Sequence, residues 1–300
     1  RSFFRRVHVP LPFFLSHSSP LPMVSLQFHE CTLSVDWADI SDCIVNKDAS
    51  YVPDASAPTV TKTLKTVVRP GQTSHDNWSS DIHVFSGASD STGNYQGIQA
   101  SDLSVNVEAL YVFLDVEERA KFASASFELI IPEAAQNSVM VNGNGSSTVE
   151  IPLDFNHACM EVVFMMRLQD NTDAKDYHNL GGLVCPVTGI QFDALREVEL
   201  TINNSNRFAK QGAQWFRTIA PLQHHSAVPT NHVYCYSFAT DAESLDPTGS
   251  CNFSRIDTKK LKLHLDPRIM SQGKSLEVYV FARAWNVLRV MSGLAGKAYS

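Results

Sequence analysis

The sequence lacks any apolar run long enough to cross a membrane as a helix. Such a helix needs about 20 apolar residues, whereas the longest candidate, residues 162–166, has the length of one strand. The N-terminal stretch Arg1–Arg6 is rich in arginine, but Pro10 and Pro12 interrupt both a signal segment and an amphipathic targeting helix. We therefore expect neither a membrane span nor a secretion signal.

Cysteine is present, but not in closely spaced motifs. The six cysteines are Cys31, Cys43, Cys159, Cys185, Cys235 and Cys251, with no C-x-x-C among them. A disulfide framework or a structural zinc site normally shows closer and more regular spacing. We expect reduced cysteines that pack as small apolar side chains, in a protein that folds in a reducing compartment.

Charge is scarce, and its balance is acidic. Charged residues make up 18% of the chain, and 31 acidic residues outnumber 24 basic ones, giving a formal net charge of −7. A nucleic-acid-binding protein usually carries a basic face or stripe. We expect no direct contact with nucleic acid, although such a protein can still lie near a genome.

Sequence motifs that carry catalysis are also lacking. The sequence contains no G-x-S-x-G, P-loop or G-x-G-x-x-G pattern. The adjacent His224 and His225 would point to opposite faces of a strand, so they are unsuited to share a metal ion. Asp36, Asp39 and Asp42 lack the alternating ligands and distal glutamate of a calcium loop. We expect no enzyme activity, no catalytic or metal-binding residue and no cofactor.

What the chain does contain is alternation of apolar and polar residues with a period of two, which is typical of β-strands. It predicts strands over 24–28 and 31–37, separated by a β-bulge or break near His29 where the phase slips. A further strand is predicted over 103–114. In the second half, strands are predicted over 149–155, 161–168, 197–202, 232–239, 260–265 and 276–284.

Helix signals are few. Asp115 is predicted to cap a short helix over 115–123, with Glu118 as its capping-box partner. A second short helix is expected over 206–211.

Loop composition indicates the organisation of the chain. Residues 44–101 are rich in Ser, Thr, Asp, Asn and Gly, so we expect long exposed loops there around one short strand over 59–68. A turn-rich stretch after Pro132 predicts a domain boundary near residue 135. The pattern alone therefore predicts two β domains, of which the second is a sandwich or jelly roll.

Four N-x-S/T tripeptides occur, at Asn77, Asn144, Asn203 and Asn252. Such tripeptides matter only in a compartment that glycosylates. Asn77, Asn144 and Asn203 fall in predicted loops and are candidate acceptors, whereas a structural role explains Asn252 better.

Four blocks of residues resemble the major capsid proteins of nucleocytoplasmic large DNA viruses, including algal viruses and iridoviruses. The first block is VPLPFFLS at 9–16, continued by LPMVSLQFHE at 21–30. The second is LYVFLDVEERAKFA at 110–123, in which Ala120 stands where the family usually has arginine.

The other two blocks follow in the order of the family. The third joins WFRTIAPLQHHS at 215–226 to DPTGSCNFSRID at 246–257, the most specific run of all. The fourth is AWNVLRVMSGLAGKAYS at 284–300, where Trp285 and Lys297 depart from the usual residues. Together the blocks reach from residue 9 to the last residue.

The resemblance implies an all-β double jelly roll. Residues 1–134 would hold the C-terminal part of the first jelly roll and residues 135–300 the second. The first block matches the middle of the family's first domain, so the early strands of that domain are expected to be missing. The resemblance also implies a structural subunit of homotrimeric, pseudo-hexagonal capsomers in an icosahedral shell, assembled in the host cytoplasm, with minor capsid proteins and an internal membrane nearby.

Residues of the four blocks are the candidates for packing and interface roles. They are Pro10, Pro12, Phe13, Asp115, Glu118, Arg119, Gln223, His224, His225, Asn252, Ser254, Arg255, Asp257, Trp285, Asn286, Arg289 and Gly293.

Their chemistry suits turns and packing. Asn252, Ser254 and Asp257 can hold loop backbone through short side chains, and Arg255 can reach a carboxylate. The third block therefore either stabilises a corner of the jelly roll or contacts a neighbour in the trimer.

The fourth block is expected to end the fold. Trp285, Leu288, Val290 and Met291 are predicted to lie in a last strand buried in the sandwich, and Gly293, with Gly296, to let the tail turn back.

Two alternatives remain at the level of sequence. A carbohydrate-binding jelly-roll module has a related architecture, but needs aromatic or acidic side chains that converge on a concave surface. A truncated or genome-integrated viral remnant would code for no working shell.

Overall fold

The computed structural model describes residues 8–9, 20–35, 106–143, 145–173, 176–182 and 191–299. The candidates Pro10, Pro12, Phe13, Asn77 and Asn144 lie outside these residues, as do the loops and strand predicted over 44–101. Most regular structure in the described part follows residue 115 and forms two antiparallel β-sheets.

The first sheet is built on the longest strands. Its order is β1-β10-β3-β7, and two short strands, β8 and β11, pair with β3 and β10. The bounds are β1 Phe127–Val141, β3 Ala158–Leu168, β7 Val233–Ser237, β8 Cys251–Asn252, β10 Leu276–Met291 and β11 Leu294–Lys297.

The second sheet has shorter strands. Its order is β2-β9-β4-β5, and β6 also pairs with β4. The bounds are β2 Thr148–Pro152, β4 Leu195–Ile202, β5 Ser205–Asn206, β6 Gln211–Gly212 and β9 Lys259–Leu265.

The chain passes from one sheet to the other as it advances. Strands β1, β3, β7 and β10 lie in the first sheet, while β2, β4 and β9 lie in the second. An antiparallel two-sheet arrangement of this kind is the jelly roll. The predicted all-β class is confirmed.

The core lies between the two sheets. Inward-facing residues of both sheets form one cluster of buried apolar side chains, among them Ile151, Phe164, Val198, Leu263 and Val280. Because β10 alternates strictly between buried and half-buried residues over 276–288, its even-numbered side chains face this core. Phe164 stacks on Tyr234 at a ring-centroid distance of 5.5 Å.

Short helices occupy the connections. The bounds are α1 Val116–Ser124, α2 Gln169–Asp173, α3 Ala220–His224 and α4 Pro267–Ser271, with 3-10 turns at Met23–Ser25 and Phe253–Arg255 and a π-helix at Trp215–Ile219. The predicted helix start is confirmed, since Asp115 accepts a hydrogen bond from the backbone N–H of Glu118 at 3.1 Å.

The strands predicted in the second half are present, although β2 and β7 end earlier than predicted and β3 begins earlier; β1 was not predicted. β10 continues to Met291, well past residue 284. The helix predicted over 206–211 is wrong, because this stretch contains β5, a bend and β6. Asn203 and Asn204 have φ of 48° and 59°, which makes the β4–β5 connection a two-residue hairpin turn of type I′.

The helical segment that joins β6 to the β7 region was missed. The π-helix Trp215–Ile219 runs directly into α3. Tertiary packing explains it: Phe216 is fully buried, and its ring lies 6.0 Å from that of Phe164. The local sequence, which includes Pro221, did not indicate a helix here.

The strands predicted before residue 115 are wrong where the structure describes them. Residues 26–35 and 106–115 form no strand, and Met23–Ser25 is a 3-10 turn. Strand pattern alone is insufficient, because a strand needs a partner to satisfy its backbone groups. The described residues supply no partner strand for these two segments.

The expected domain boundary near residue 135 falls inside β1. This strand pairs with β10 over its full length, from Phe127 opposite Val290 to Val141 opposite Leu276. The sandwich therefore begins at Phe127, and the division of the chain into two domains stays a prediction.

We expect Phe164→Ala to lower the free energy of unfolding by about 3–5 kcal/mol, because it leaves a cavity at the centre of the core. Chemical denaturation monitored by tryptophan fluorescence measures the change. Met140→Ala is the control, since Met140 lies half exposed on β1 and its truncation should cost about 0.5 kcal/mol or less. Equal effects of the two substitutions would contradict the assigned core.

Candidate functional site

The first and fourth motif blocks meet at the end of the first sheet. The backbone N–H of Phe28 donates to the carbonyl of Gly293 at 3.1 Å, and the N–H of Ala295 donates to Nδ1 of His29 at 3.0 Å. The N-terminal block is thus held against the β10–β11 hairpin, 265 or more positions away in the sequence.

Gly293 makes this contact possible. The hairpin turn has positive φ at Ser292, 53°, and at Gly293, 80°, as a type I′ turn requires. A Cβ on Gly293 would lie 2.7 Å from Cδ2 of Phe28. The glycine therefore serves both the turn and the close approach.

Described residues of the second block contact the first through a hydrogen bond. Oγ of the buried Ser25 donates to the carbonyl of Phe122, near the end of α1, at 2.6 Å. The side chains of Glu118 and Arg119 are exposed on α1, so they are available to other surfaces.

Asn286 anchors the tail of the fourth block. Its fully buried side chain donates from Nδ2 to Oε2 of Glu133 at 2.7 Å and to the carbonyl of Tyr299 at 2.9 Å. Lys297 donates to the other carboxylate oxygen, Oε1 of Glu133, at 2.6 Å. The hydrogen bonds from Asn286 and Lys297 lower the pKa of Glu133, so the carboxylate is held in its charged form.

The third block reaches the fourth through His157. The backbone N–H of His157 donates to Oγ of Ser254 at 2.8 Å, its carbonyl accepts from the N–H of Phe253 at 2.8 Å, and its ring lies 6.5 Å from that of Tyr299. His157 has a φ of 69°, which is rare for a side chain of this size. Asn252 caps the same turn by accepting from the N–H of Ser254 at 3.1 Å.

These contacts decide the role of several predicted residues. The side-chain oxygens of Asn252 and Ser254 accept hydrogen bonds from loop backbone, so the tripeptide at Asn252 is engaged in local structure. The side chains of Arg255 and Asp257 are exposed beside this turn. Asn203 is exposed at the tip of the β4–β5 hairpin.

The two adjacent histidines serve different partners. Nδ1 of His224 lies 3.1 Å from the carbonyl of Thr240, whereas Nε2 of His225 lies 2.9 Å from Oε2 of Glu161. The neighbouring Gln223 is exposed. The strand assumed for this pair is wrong, because His224 ends α3 and His225 follows it.

Glu161 is a buried carboxylate that the sequence reasoning missed. It lies on the outer face of the first sheet, 1% exposed, and Nη1 of Arg283 donates to its Oε1 at 2.6 Å. The same Arg283 nitrogen donates to the carbonyl of Ala242 at 3.1 Å. Oε2, which lies 2.9 Å from Nε2 of His225, accepts no hydrogen bond from the described residues. A charged residue within the apolar run 158–166 was the available signal.

A second unpredicted cluster surrounds Asp193. Its Oδ1 accepts from Nη1 of Arg217 at 2.7 Å and from the hydroxyl of Tyr234 at 3.1 Å, and it lies 3.2 Å from Nε2 of His232. Burial lowers the pKa of His232, and the nearby Arg217 lowers it further. Burial also raises the pKa of Tyr234. Through Asp193, which lies just before β4, the cluster connects Arg217 of the π-helix with Tyr234 of β7. Its polar groups are paired with one another, which indicates a structural role.

Trp285 is not in the core as predicted. It follows the odd-numbered side chains of β10 and is half-buried on the outer face of the sheet, in register with Pro132 and Ala158. Its Nε1 is buried without a hydrogen-bond partner in the described part of the chain. Leu288 and Val290 are buried as predicted, whereas Met291 is exposed. Side chains alternate between the two faces of a strand. Trp285 and Leu288 are three positions apart, so they lie on opposite faces of β10.

Arg289 forms a surface contact. Its Nε donates to Oε1 of Glu128 at 2.7 Å, and both side chains are more than half exposed. Such a pair adds little to stability. Within the described residues no group of three or more His, Cys, Asp or Glu side chains is placed to hold a metal ion, and no helix there is long and apolar enough to span a membrane.

We expect Gly293→Ala to destabilise the protein by about 1–2 kcal/mol, because alanine in the left-handed region is strained and its Cβ would displace Phe28. The free energy of unfolding measures this. Gly296→Ala is the matched control, since a Cβ there meets nothing within 4 Å. A loss at both positions of the same size would contradict the docking of the first block on the hairpin.

We expect stability to fall as the pH drops from 7.5 to 5.5. The pKa of His232 is lower in the folded than in the unfolded protein, so in this range the unfolded chain takes up a proton that the folded one does not. The free energy of unfolding, measured at each pH, should decline less steeply for His232→Asn.

The exposed His178 offers a control for this measurement. His178→Asn should keep the slope of the unsubstituted protein. If His232→Asn kept that slope too, the cluster around Asp193 would not contribute to the pH dependence.

Comparison with known proteins agrees with the motif blocks and the fold. The family model described as the large eukaryotic DNA virus major capsid protein matches residues 118–296, more than half of the chain. The chain is similar to the major capsid protein of Phaeocystis pouchetii virus, with 24% identity. The alignment is 380 positions long and covers 98% of this chain and 65% of the relative. Its similarity to the major capsid protein of Paramecium bursaria Chlorella virus 1 has 24% identity and covers 99% and 67%.

Solved structures show the same likeness. A quasi-atomic model of the PBCV-1 virus capsid matches with a TM-score of 0.52 and 25% identity, over 63% of this chain and 55% of that one. The Faustovirus major capsid protein shares the fold at a TM-score of 0.51 and 12% identity. The chain spans 65% and 62% of the length of two of its curated relatives. On the match over 118–296 and the shared fold, the chain belongs to the family of large eukaryotic DNA virus major capsid proteins.

Proposed function

We propose that this chain is the C-terminal portion of a shell-building subunit that forms homotrimeric, pseudo-hexagonal capsomers of an icosahedral virion. The observation that carries the proposal is the convergence of the four motif blocks. Each block is used to hold backbone or tail in place, through Phe28 and Gly293, Ser25 and Phe122, Asn286 and Glu133, or His157 and Ser254.

That pattern of use favours a structural role over catalysis. The buried polar groups of the described residues are mostly engaged with one another: Glu161 with Arg283, and Asp193 with Arg217 and Tyr234. A catalytic site normally leaves reactive groups facing a cleft where substrate binds. Here the charged groups join elements of the sandwich instead.

An apolar segment before α1 supports assembly with further structure. Its large side chains are Val107, Leu110, Tyr111, Val112 and Phe113, all strongly exposed, with Leu110 at 80% and Phe113 at 92%. Soluble proteins rarely leave so many neighbouring apolar groups in water. Covering each would contribute about 1.5–3 kcal/mol.

We infer that this segment belongs to the first jelly roll, whose C-terminal part then lies before α1. Its composition is that of a strand, and it leads directly into α1, as the second motif block of the family does. On this proposal α1 links the two domains, and the second jelly roll comprises the sandwich that begins in β1.

The proposed location is the virion capsid, with assembly in the host cytoplasm. The partners would be further copies of the chain, minor capsid proteins and a nearby internal membrane, without direct nucleic-acid contact. The net charge of −7 supports this last point. Arg255, Asp257, Glu118 and Arg119 are the exposed motif residues that we assign to contacts between neighbours.

No observation favours the carbohydrate-binding alternative. The aromatic contacts in the described part of the sandwich mostly involve rings that face the core, such as those of Phe164, Phe216 and Tyr236. A glycan site needs aromatic rings on an accessible concave surface.

We expect the full-length product to have a native mass of three subunits at micromolar concentration. Native mass spectrometry or light scattering coupled to gel filtration measures it. A persistent monomer would contradict the proposed function, and binding of that monomer to a glycan array would favour the carbohydrate-binding module.

Arg255→Glu tests the assigned contact surface. We expect it to raise the dissociation constant of the trimer about tenfold or more, since reversing an interface charge places like charges together, without changing the melting temperature of the subunit. The control is Lys260→Glu, a charge reversal on the outer face of the second sheet, which should leave the trimer intact. Equal behaviour of the two variants would remove Arg255 from the interface.

A further inference from the structure

Two cysteines lie directly opposite each other in the first sheet. Cys159 in β3 and Cys251 in β8 are register partners in an antiparallel pairing. They are 92 positions apart in the sequence, so the spacing of cysteines along the chain gave no sign of this neighbourhood. Both are free thiols in the structure.

The backbone geometry at this pair suits a covalent bond. Opposed residues of antiparallel strands have Cα atoms about 4.5–5.5 Å apart, and disulfides span Cα distances of about 4.4–6.8 Å. Opposed side chains also lie on the same face of the sheet. Here both sulfurs lie on the core side: Cys159 is buried in the core, and Cys251 packs against it.

The two thiols differ in access. Sγ of Cys159 donates to the carbonyl of Glu161 at 3.3 Å, and burial raises the pKa of this thiol to about 12. The neighbouring Cys251 contributes to that rise in pKa. Cys251 is only partly buried, so an oxidant in solution reaches this sulfur first.

We propose that Cys159 and Cys251 form a reversible disulfide when the protein meets a small-molecule disulfide such as oxidised glutathione. The Cys251 thiolate attacks one sulfur of the oxidant, whose S–S bond breaks and releases one glutathione thiolate. The Cys159 thiolate then attacks the sulfur of Cys251 in the mixed disulfide and releases the second glutathione. Two protein thiols are oxidised, one glutathione disulfide is reduced to two thiols, and both protons leave with the glutathione.

The bond would fix the third motif block to the sheet. Cys251 directly precedes Asn252 and Phe253, whose turn contacts His157 at the start of β3. In the reduced protein this block is held by the two-residue strand β8, a few hydrogen bonds and the buried ring of Phe253. A crosslink across so many residues also restricts the unfolded chain, which stabilises the folded state.

The other cysteines of the described part have different neighbours. Cys235 in β7 faces Val163 across the sheet, and Cys31 is exposed in the N-terminal segment. Cys235 is therefore a matched control, being a buried cysteine of the same sheet that has no cysteine opposite it.

The experiment uses the full chain in its native assembly state, incubated with oxidised glutathione or with dithiothreitol. Remaining thiols are alkylated with N-ethylmaleimide after unfolding, and the peptides are mapped by mass spectrometry. We expect a crosslinked peptide that joins Cys159 to Cys251 only after oxidation, together with a rise in melting temperature of about 5 °C or more.

Variants distinguish the pair from general oxidation. Cys251→Ser should abolish both the crosslink and the rise in melting temperature, whereas Cys235→Ser should keep both. The unsubstituted protein itself provides the decisive outcome. If Cys159 is alkylated in the oxidised sample, or if Cys251 stops at the glutathione adduct, the proposal is overturned.

Discussion

The pairing of β1 with β10 is the interaction on which the rest of the structure depends. Fifteen consecutive residues of β1 lie opposite β10, from Phe127 opposite Val290 to Val141 opposite Leu276. The pair joins the first strand of the sandwich to the last long one. It also places the β10–β11 hairpin where it can receive Phe28. Without this pairing, neither the core nor the convergence of the motif blocks would exist.

Much of the sandwich could be predicted because its strands alternate strictly between core and surface. Residues 260–265 alternate in this way and form a strand, and the apolar run within 161–168 also proved to be a strand. Prediction failed where packing decides over local sequence. Phe216 is helical because its ring fits between Phe164 and Tyr236, and residues 106–115 are not a strand because they have no partner among the described residues.

The sequence pointed to several residues of the site, but not to the residues that they contact. The motif blocks supplied Asn252, Ser254, Asn286 and Gly293, all of which make the contacts described. Their partners, Glu133 and His157, lie outside the blocks, and no spacing along the chain connects them. The large apolar side chain of Trp285 led to the prediction of a core position. The alternation of side chains along β10 places it on the opposite face of the sheet instead.

The outer edge of β1 has a consequence for solubility. Among the described residues β1 ends the strand order of its sheet, so one side of this 15-residue strand has no partner there and can accept an added strand. Pro132 removes one donor from that row, since proline is accepted in an edge strand where its nitrogen faces outward. Two copies of this edge would fail to complete a hydrogen-bond ladder at Pro132, which protects the protein from open-ended sheet growth.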